Sequence, residues 1–170
     1  MATVFVAFRT LCYMAAFILF FGWFALRVQP FDDLLKVPLP RWIAVAGTIV
    51  GTIGAVIVFA CAGVFVWRGR GTPAIFDPPR EFVATGPYKF VRNPMYIGGF
   101  LLLVGLGLDR QSPAILLYSI AIFVLFHLYV VFIEEPGLES RFGESYFAYK
   151  QAVNRWLPKF LRRRNSDYGV

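Results

Sequence analysis

The chain has 170 residues, 58% of them hydrophobic and 16% charged, and its mean hydropathy is +0.63. Soluble domains are roughly half apolar, so this composition excludes an ordinary water-soluble domain and indicates a single membrane-embedded one. The net charge of +7 does not indicate nucleic-acid binding, because the basic residues avoid the long apolar runs and collect near residues 68–92 and after residue 140.

The N-terminal part, residues 1–67, contains two apolar runs. Val4–Leu26 has about the 20 residues needed to cross a bilayer, and it is followed by no small-residue cleavage site. We therefore interpret it as a retained span rather than a signal peptide. The connection at Arg27–Arg41 contains Pro38 and Pro40, which prevent a continuous helix. Trp42–Trp67 is uncharged and bracketed by tryptophans, so we predict that it is the second span.

Small residues in the second span predict close helix packing. Gly47 and Gly51 are spaced as GxxxG, with Gly54 nearby, and such a surface lets a neighbouring helix approach closely. We expect this neighbour to lie within the same protein, and homo-oligomerisation stays open as the alternative.

A polar loop and a helical hairpin follow. We predict that residues 68–94 form a cytoplasmic loop. Met95–Leu108 has about 14 residues, roughly 21 Å of helix, which is shorter than a bilayer core of about 30 Å. Ser112 and Pro113 favour a helix start, and Ala114–Ile133 then returns as the fourth span.

Beyond the hairpin, Pro136 is expected to stop or kink the fourth span. Apolar residues then recur at helical spacing, which predicts one amphipathic helix over Leu138–Val153. The predicted fold class is therefore an all-α polytopic membrane bundle of about four transmembrane helices, the last two a hairpin, with a C-terminal amphipathic cytoplasmic helix. Residues 95–158 would form its functional core.

Basic residues predict the orientation. Five lie in the loop at 68–92 and seven follow residue 140, against Arg27, Lys36, Arg41 and Arg110 on the opposite face. Because positively charged loops stay in the cytoplasm, both termini and the active site are predicted to be cytoplasmic.

The first chemical motif is the start of the third apolar helix. Asn93 is placed to cap it, and Pro94 suits the first helical position. The positive end of the helix, together with Arg92, would attract a carboxylate or a phosphate. The alternative is an ordinary helix start with an arginine that reaches the membrane surface.

The second motif is the pair of acids at the end of the fourth span, Glu134 and Glu135. Acids at a membrane boundary are unfavourable unless they are solvated or paired, so they are functional candidates. The alternative is a solvated helix end, although acids oppose the dipole there. His127 lies seven residues earlier on roughly the same helix face, and we expect it to make an interhelical hydrogen bond rather than contact an acceptor.

These motifs occur in a familiar order. GPYKFVRNPMYIGG, a short helical hairpin, and then EEPGLESRFGESYFAYKQAVNRWLP resemble the isoprenylcysteine carboxyl methyltransferase family and its relatives among the phospholipid methyltransferases. The resemblance covers about residues 84–158, nearly half of the chain. It implies an integral-membrane methyltransferase whose cofactor is S-adenosylmethionine, held between the hairpin and the C-terminal helix.

The resemblance also implies roles for individual residues. The methionine carboxylate of the cofactor would meet Arg92 and the helix start at Pro94, and Glu134 or Glu135 would accept hydrogen bonds from its amino group or ribose hydroxyls. Where the family usually has His, this chain has Asn93. Three further residues complete the implied site: Tyr88 and Tyr96 as its walls, and Arg155 to orient the acceptor.

The acceptor stays open at this point. A prenylcysteine-like carboxylate needs no general base, whereas an amine or a thiol must shed a proton, for which Glu135 or His127 is available. The predicted partners are the lipid bilayer and a lipophilic acceptor that enters sideways. Two alternatives are an NADPH-dependent membrane enzyme similar to sterol reductases and a non-catalytic membrane scaffold.

Overall fold

The computed structural model describes residues 2–64, 66–67 and 85–159. These residues form helices and no strand, which confirms the all-α membrane bundle. Most of the predicted cytoplasmic loop at 68–94, namely residues 68–84, lies outside the described residues. Large apolar side chains such as Phe20, Trp23 and Ile49 are exposed on the bundle surface, as a lipid-facing protein requires.

Helix α1 spans Ala2–Val28, and a 3₁₀ turn at Gln29–Phe31 leads into the short helix α2, Asp32–Leu35. The connection was predicted to be irregular, but its first part is helical. This helical part ends at Lys36, whose φ is +51°. The Asp32 carboxylate accepts a hydrogen bond from the backbone N–H of Ala114 at 2.8 Å. This bond ties the end of the first span to the start of the last.

Helix α3 spans Ile43–Val64 and packs along α4, Pro94–Asp109, in an antiparallel pair. The glycines make this approach possible: a Cβ on Gly105 would lie 2.5 Å from the Gly51 nitrogen, and one on Gly54 would lie 2.7 Å from the Gly98 oxygen. The GxxxG surface thus packs against a helix of the same chain, as predicted, and the backbones meet in van der Waals contact.

A tight turn joins α4 to helix α5, Pro113–Tyr129, and forms the predicted hairpin. Ser112 caps α5 through its side chain, which accepts from the Ile115 N–H at 3.2 Å, and Pro113 occupies the first turn. With 16 residues, α4 has a length of about 24 Å. Among the described residues three helical stretches are long and apolar enough to cross a membrane, and α4 is the shorter fourth helix.

The last span does not stop at Pro136. A π-helical turn at Val130–Glu134 follows α5 and runs directly into helix α6, Glu135–Phe142, with Pro136 in its first turn. Proline lacks a backbone N–H, and the wider π turn before it accommodates the missing hydrogen bond within one helical path. The prediction that the span would stop at Pro136 was therefore wrong, and the distortion seen here is the local π turn before the proline.

The prediction of one amphipathic helix at Leu138–Val153 was wrong. The chain forms two helices, α6 and then α7, Glu144–Ala152, which meet at Gly143. Gly143 has φ +51°, a conformation that favours glycine, and its N–H donates to the Glu139 oxygen to close α6. Its own carbonyl accepts from the N–H groups of Tyr146 and Phe147 and opens α7.

Candidate active site

The segment before α4 is held by the C-terminal part of the chain. A 3₁₀ helix at Gly86–Lys89 carries Tyr88, whose backbone oxygen accepts from the Tyr149 hydroxyl at 2.7 Å. Burial raises the pKa of the Tyr149 hydroxyl to about 12, and it raises that of Tyr88 well above its ordinary value. Both phenols are therefore neutral donors near pH 7.

Asn93 does not cap α4, contrary to the prediction. It precedes Pro94, but its side chain makes no capping hydrogen bond. Its Nδ2 instead donates to the backbone oxygen of Arg155 at 3.5 Å, and its N–H donates to the same oxygen at 3.3 Å. The Arg92 N–H donates to the Asn154 oxygen at 2.9 Å. The amide of Asn93 is thus used to hold the C-terminal segment, a demand that local sequence did not reveal.

Glu135 lies at the centre of an ionic cluster, and its side chain is only 5% exposed. Arg92 forms an ion pair with it, with Nη2 2.9 Å from Oε1. Arg155 donates to both of its oxygens, from Nε at 2.7 Å and from Nη2 at 2.8 Å. Lys150 approaches Oε2 at 3.7 Å and also pairs with Glu139. A buried carboxylate of this kind requires such compensation, and the cluster provides it from three separate chain segments.

Within this cluster the side chains of Arg155 and Glu135 bind each other. The hydrogen bond to Glu135 raises the pKa of the Arg155 guanidinium, so this side chain is a permanent cation. Both oxygens of Glu135 already accept from cations, which makes it a poor proton acceptor. The predicted roles of Arg155 towards an acceptor, and of Glu135 as a base, stay predictions.

Arg92 keeps donor capacity. Its side chain is 7% exposed, yet its Nε and Nη1 atoms are buried and have no hydrogen-bond partner among the described residues. Buried donors without a partner are rare and unfavourable in folded proteins. Nε and Nη1 lie on different edges of the guanidinium, so each can donate a separate charge-assisted hydrogen bond, and the site fits an anionic ligand group.

Glu134 has a different environment from its neighbour. It ends the π turn, and its Oε2 accepts from the Tyr96 hydroxyl at 2.7 Å. No cation pairs with it among the described residues. The Tyr96 ring lies 5.2 Å from that of Phe126, which in turn contacts Phe17 and Phe21 of α1. The carboxylate thus lies beside an aromatic surface that reaches the first span.

His127 makes a hydrogen bond, but the predicted interhelical partner was wrong, because the partner lies in the non-helical segment after α7. The indole Nε1 of Trp156 donates to His127 Nδ1 at 3.0 Å. Trp156 and Tyr149 belong to the C-terminal motif but received no individual role from the sequence, and Lys150 was not singled out. Their position beside the acidic pair, in a segment rich in basic and aromatic residues, was the available signal.

The predicted site residues therefore form one neighbourhood at the start of α4. Arg92, Asn93, Arg155 and Glu135 are linked directly, and Glu134 links to Tyr96 beside them. A separate open groove of about 410 Å³ lies near Asp109, at the other end of α4, lined mainly by glycine, threonine and alanine. Its lining contains no comparable cluster of charges, so the α4 start is the candidate site.

Comparison with known proteins assigns the chain to a family. A family model described as phospholipid methyltransferase matches residues 40–145, more than half of the chain. This match includes Arg92, Tyr96 and both acids, and it ends before Arg155.

Two relatives extend the comparison. The chain is 29% identical over 133 residues to the nickel-cobalt-cadmium resistance protein NccN of Alcaligenes xylosoxydans xylosoxydans, which covers 76% of this chain and 58% of that protein. It is 31% identical over 75 residues to phosphatidylethanolamine N-methyltransferase B of Dictyostelium discoideum, which covers 44% of this chain and 36% of that protein. The matched parts thus span 58% and 36% of the lengths of these relatives, less than two thirds of either.

Proposed function

This chain belongs to the phospholipid methyltransferase family, and we propose from that membership that it transfers a methyl group from S-adenosylmethionine to the amine of a phospholipid. The observation that carries the proposal is Arg92, a buried guanidinium at the α4 start with two N–H atoms that lack a partner among the described residues. An amino-acid carboxylate is a ligand group that these donors fit.

One group of residues in the proposed site binds and orients the cofactor. Arg92 would hold the carboxylate of the cofactor, aided by the positive end of α4 at Pro94. Glu135 and Arg155 hold the Arg92 side chain in place through the ionic cluster. The cofactor supplies a methyl group that is already activated as a sulfonium. The chain therefore needs mainly to align the reactants and exclude water.

The choice of an amine acceptor is supported by Glu134. An ammonium group must lose a proton to become a nucleophile, and a carboxylate within reach can accept it. Glu134 accepts one hydrogen bond, from a neutral tyrosine, and has no cationic partner among the described residues. Its charge would attract an ammonium and repel the carboxylate of a prenylcysteine. The Dictyostelium relative is named a phosphatidylethanolamine N-methyltransferase, which agrees with this choice.

The surroundings of Glu134 support access by a lipid acceptor from the bilayer. Tyr96, Phe126 and the phenylalanines of α1 form an apolar wall beside Glu134. We place the site at the cytoplasmic boundary, because the basic residues of the chain concentrate on that side. A lipid headgroup could then reach the acid while its acyl chains stay in the membrane.

The test is binding of radiolabelled S-adenosylmethionine to the purified protein in detergent, comparing Arg92→Gln with Arg110→Gln. Arg110 is exposed at the far end of α4, so its loss controls for net charge. We expect saturable binding by the wild type and Arg110→Gln, and binding at least tenfold weaker in Arg92→Gln, because a charge-assisted pair contributes roughly 1.5–3 kcal/mol.

The acceptor is tested with the labelled methyl group. Lipid vesicles containing phosphatidylethanolamine should become labelled, whereas a farnesylcysteine analogue should not. Labelling of the analogue alone would contradict the amine acceptor. Binding of NADPH without binding of S-adenosylmethionine would favour the reductase alternative, and a folded protein that binds neither would favour a scaffold.

A further inference from the structure

Three consecutive residues after α7, Asn154–Trp156, connect three parts of the site, and we call them the strap. The carbonyls of Asn154 and Arg155 accept from the N–H groups of Arg92 and Asn93, immediately before α4. The Arg155 side chain binds Glu135 at the start of α6. The strap belongs to no helix, so its position depends on these contacts.

The third residue of the strap is anchored on α5. Trp156 is half-buried, with its ring 4.9 Å from that of Phe123 and 5.8 Å from that of His127. Its indole N–H donates to His127 Nδ1 at 3.0 Å, which places the imidazole proton on Nε2 in the neutral ring. This bond and the two ring contacts together join the strap to α5.

The strap therefore connects the Trp156–His127 hydrogen bond to Arg92, the arginine proposed to bind the cofactor. If Trp156 moved, the carbonyl of Arg155 and its guanidinium would move with it, because they belong to the adjacent residue. That movement would release the Asn93 amides and one of the cations that hold Glu135. Within the described residues, the guanidinium of Arg92 is held by its ion pair with Glu135.

We propose that Trp156 and His127 are a positioning pair, which holds the strap and thereby orients Arg92 for the cofactor. Neither residue needs to touch the cofactor in this role. The proposal rests on the proposed function for its kinetic consequences, whereas the anchoring itself is independent of that function.

The anchoring is tested without any cofactor, by hydrogen exchange of the peptide that contains the Arg92 and Asn93 amides. Trp156→Phe keeps an aromatic ring and removes the N–H donor, and His127→Leu removes the acceptor. Each should accelerate exchange of these amides by roughly fivefold, the factor expected when a hydrogen bond of about 1 kcal/mol is lost. The control Trp42→Phe alters an exposed tryptophan immediately before α3, and it should leave the exchange unchanged.

The orienting role is tested by kinetics. Either variant should raise the KM for S-adenosylmethionine by up to roughly fivefold, the same factor as the lost hydrogen bond, and change kcat less than twofold, and the double variant should raise KM no further than one single variant. A merely structural role would lower the active fraction, and hence the apparent kcat, with KM unchanged. His127→Asn offers an acceptor close to the position of Nδ1 and should restore a KM near that of the wild type.

Three results would overturn the proposal: unchanged exchange in both single variants, additive effects in the double variant, or a lowered kcat with an unchanged KM. If the wild type binds no S-adenosylmethionine while the exchange results hold, the proposed function fails and the anchoring role stands. The two failures are therefore distinguishable.

Discussion

Arg155 forms a two-point hydrogen bond with Glu135, from Nε and Nη2 to the two carboxylate oxygens at 2.7 and 2.8 Å. The two residues are 20 positions apart, at the start of α6 and in the strap after α7. Their contact closes the C-terminal helices over the start of α4. It also makes Glu135 a fixed element of the site, with Arg92 on its other side.

Replacing Glu135 should destabilise the whole bundle. Glu135→Gln leaves the guanidinium groups of Arg92 and Arg155 without their shared counter-charge, and breaking a buried pair in this way typically costs roughly 3–5 kcal/mol. The control is Glu139→Gln, since Glu139 is partly exposed and pairs with Lys150 at the surface, which predicts a loss below about 1 kcal/mol. Thermal unfolding in detergent would measure both, and equal melting temperatures would contradict the central role of Glu135.

Replacing Glu134 should affect chemistry more than binding. Glu134→Gln keeps a side chain that can accept from Tyr96 and removes the proposed proton acceptor, so methyl transfer to a phospholipid amine should fall by about 10²–10⁴-fold. The affinity for S-adenosylmethionine should change by less than about threefold. Glu144→Gln, which alters an exposed acid in α7, is the matched control. Full transfer by Glu134→Gln would remove this acid from the mechanism.

Packing of α3 against α4 should be sensitive to a single methyl group. In Gly105→Ala the new Cβ would meet the backbone of Gly51 at 2.5–2.6 Å, so the helices must separate, at a cost of roughly 1–3 kcal/mol. Gly99→Ala lies in the same helix with nothing within 4 Å of its Cβ and should be neutral or stabilising. The difference between their unfolding temperatures is the measurement, and no difference would contradict the close approach.

The orientation is tested by labelling single cysteines in sealed cells. Lys159→Cys and Lys36→Cys replace exposed residues at the two predicted faces, in a background where Cys12 and Cys61 are changed to serine. A membrane-impermeant maleimide should label Lys36→Cys in intact cells and Lys159→Cys only after the membrane is opened, since the basic side faces the cytoplasm. The reverse pattern would invert the predicted topology.

The extent to which the site could be predicted differs between its parts. The convergence of Arg92, Glu135 and Arg155 was anticipated through resemblance and from the cost of a charge at a membrane boundary. The mutual pairing of Arg155 and Glu135 was not, because a sequence gives no distance between side chains on different helices. For the same reason Lys150 was missed, Trp156 received no role of its own, and the amide of Asn93 was assigned to a local cap.

The sequence by itself determined the helical elements, because their causes are local. Long apolar runs must be helical in lipid, Ser112 and Pro113 start α5 wherever it lies, and small residues at Gly47 and Gly51 permit a close helix. Only the tertiary structure decided how these elements serve the site. The rotation and register of α5 and α6 relative to the strap determine that Trp156 meets His127 and that Glu135 meets two arginines. Those contacts join residues 20 to 43 positions apart, and their geometry depends on the packing of the whole bundle.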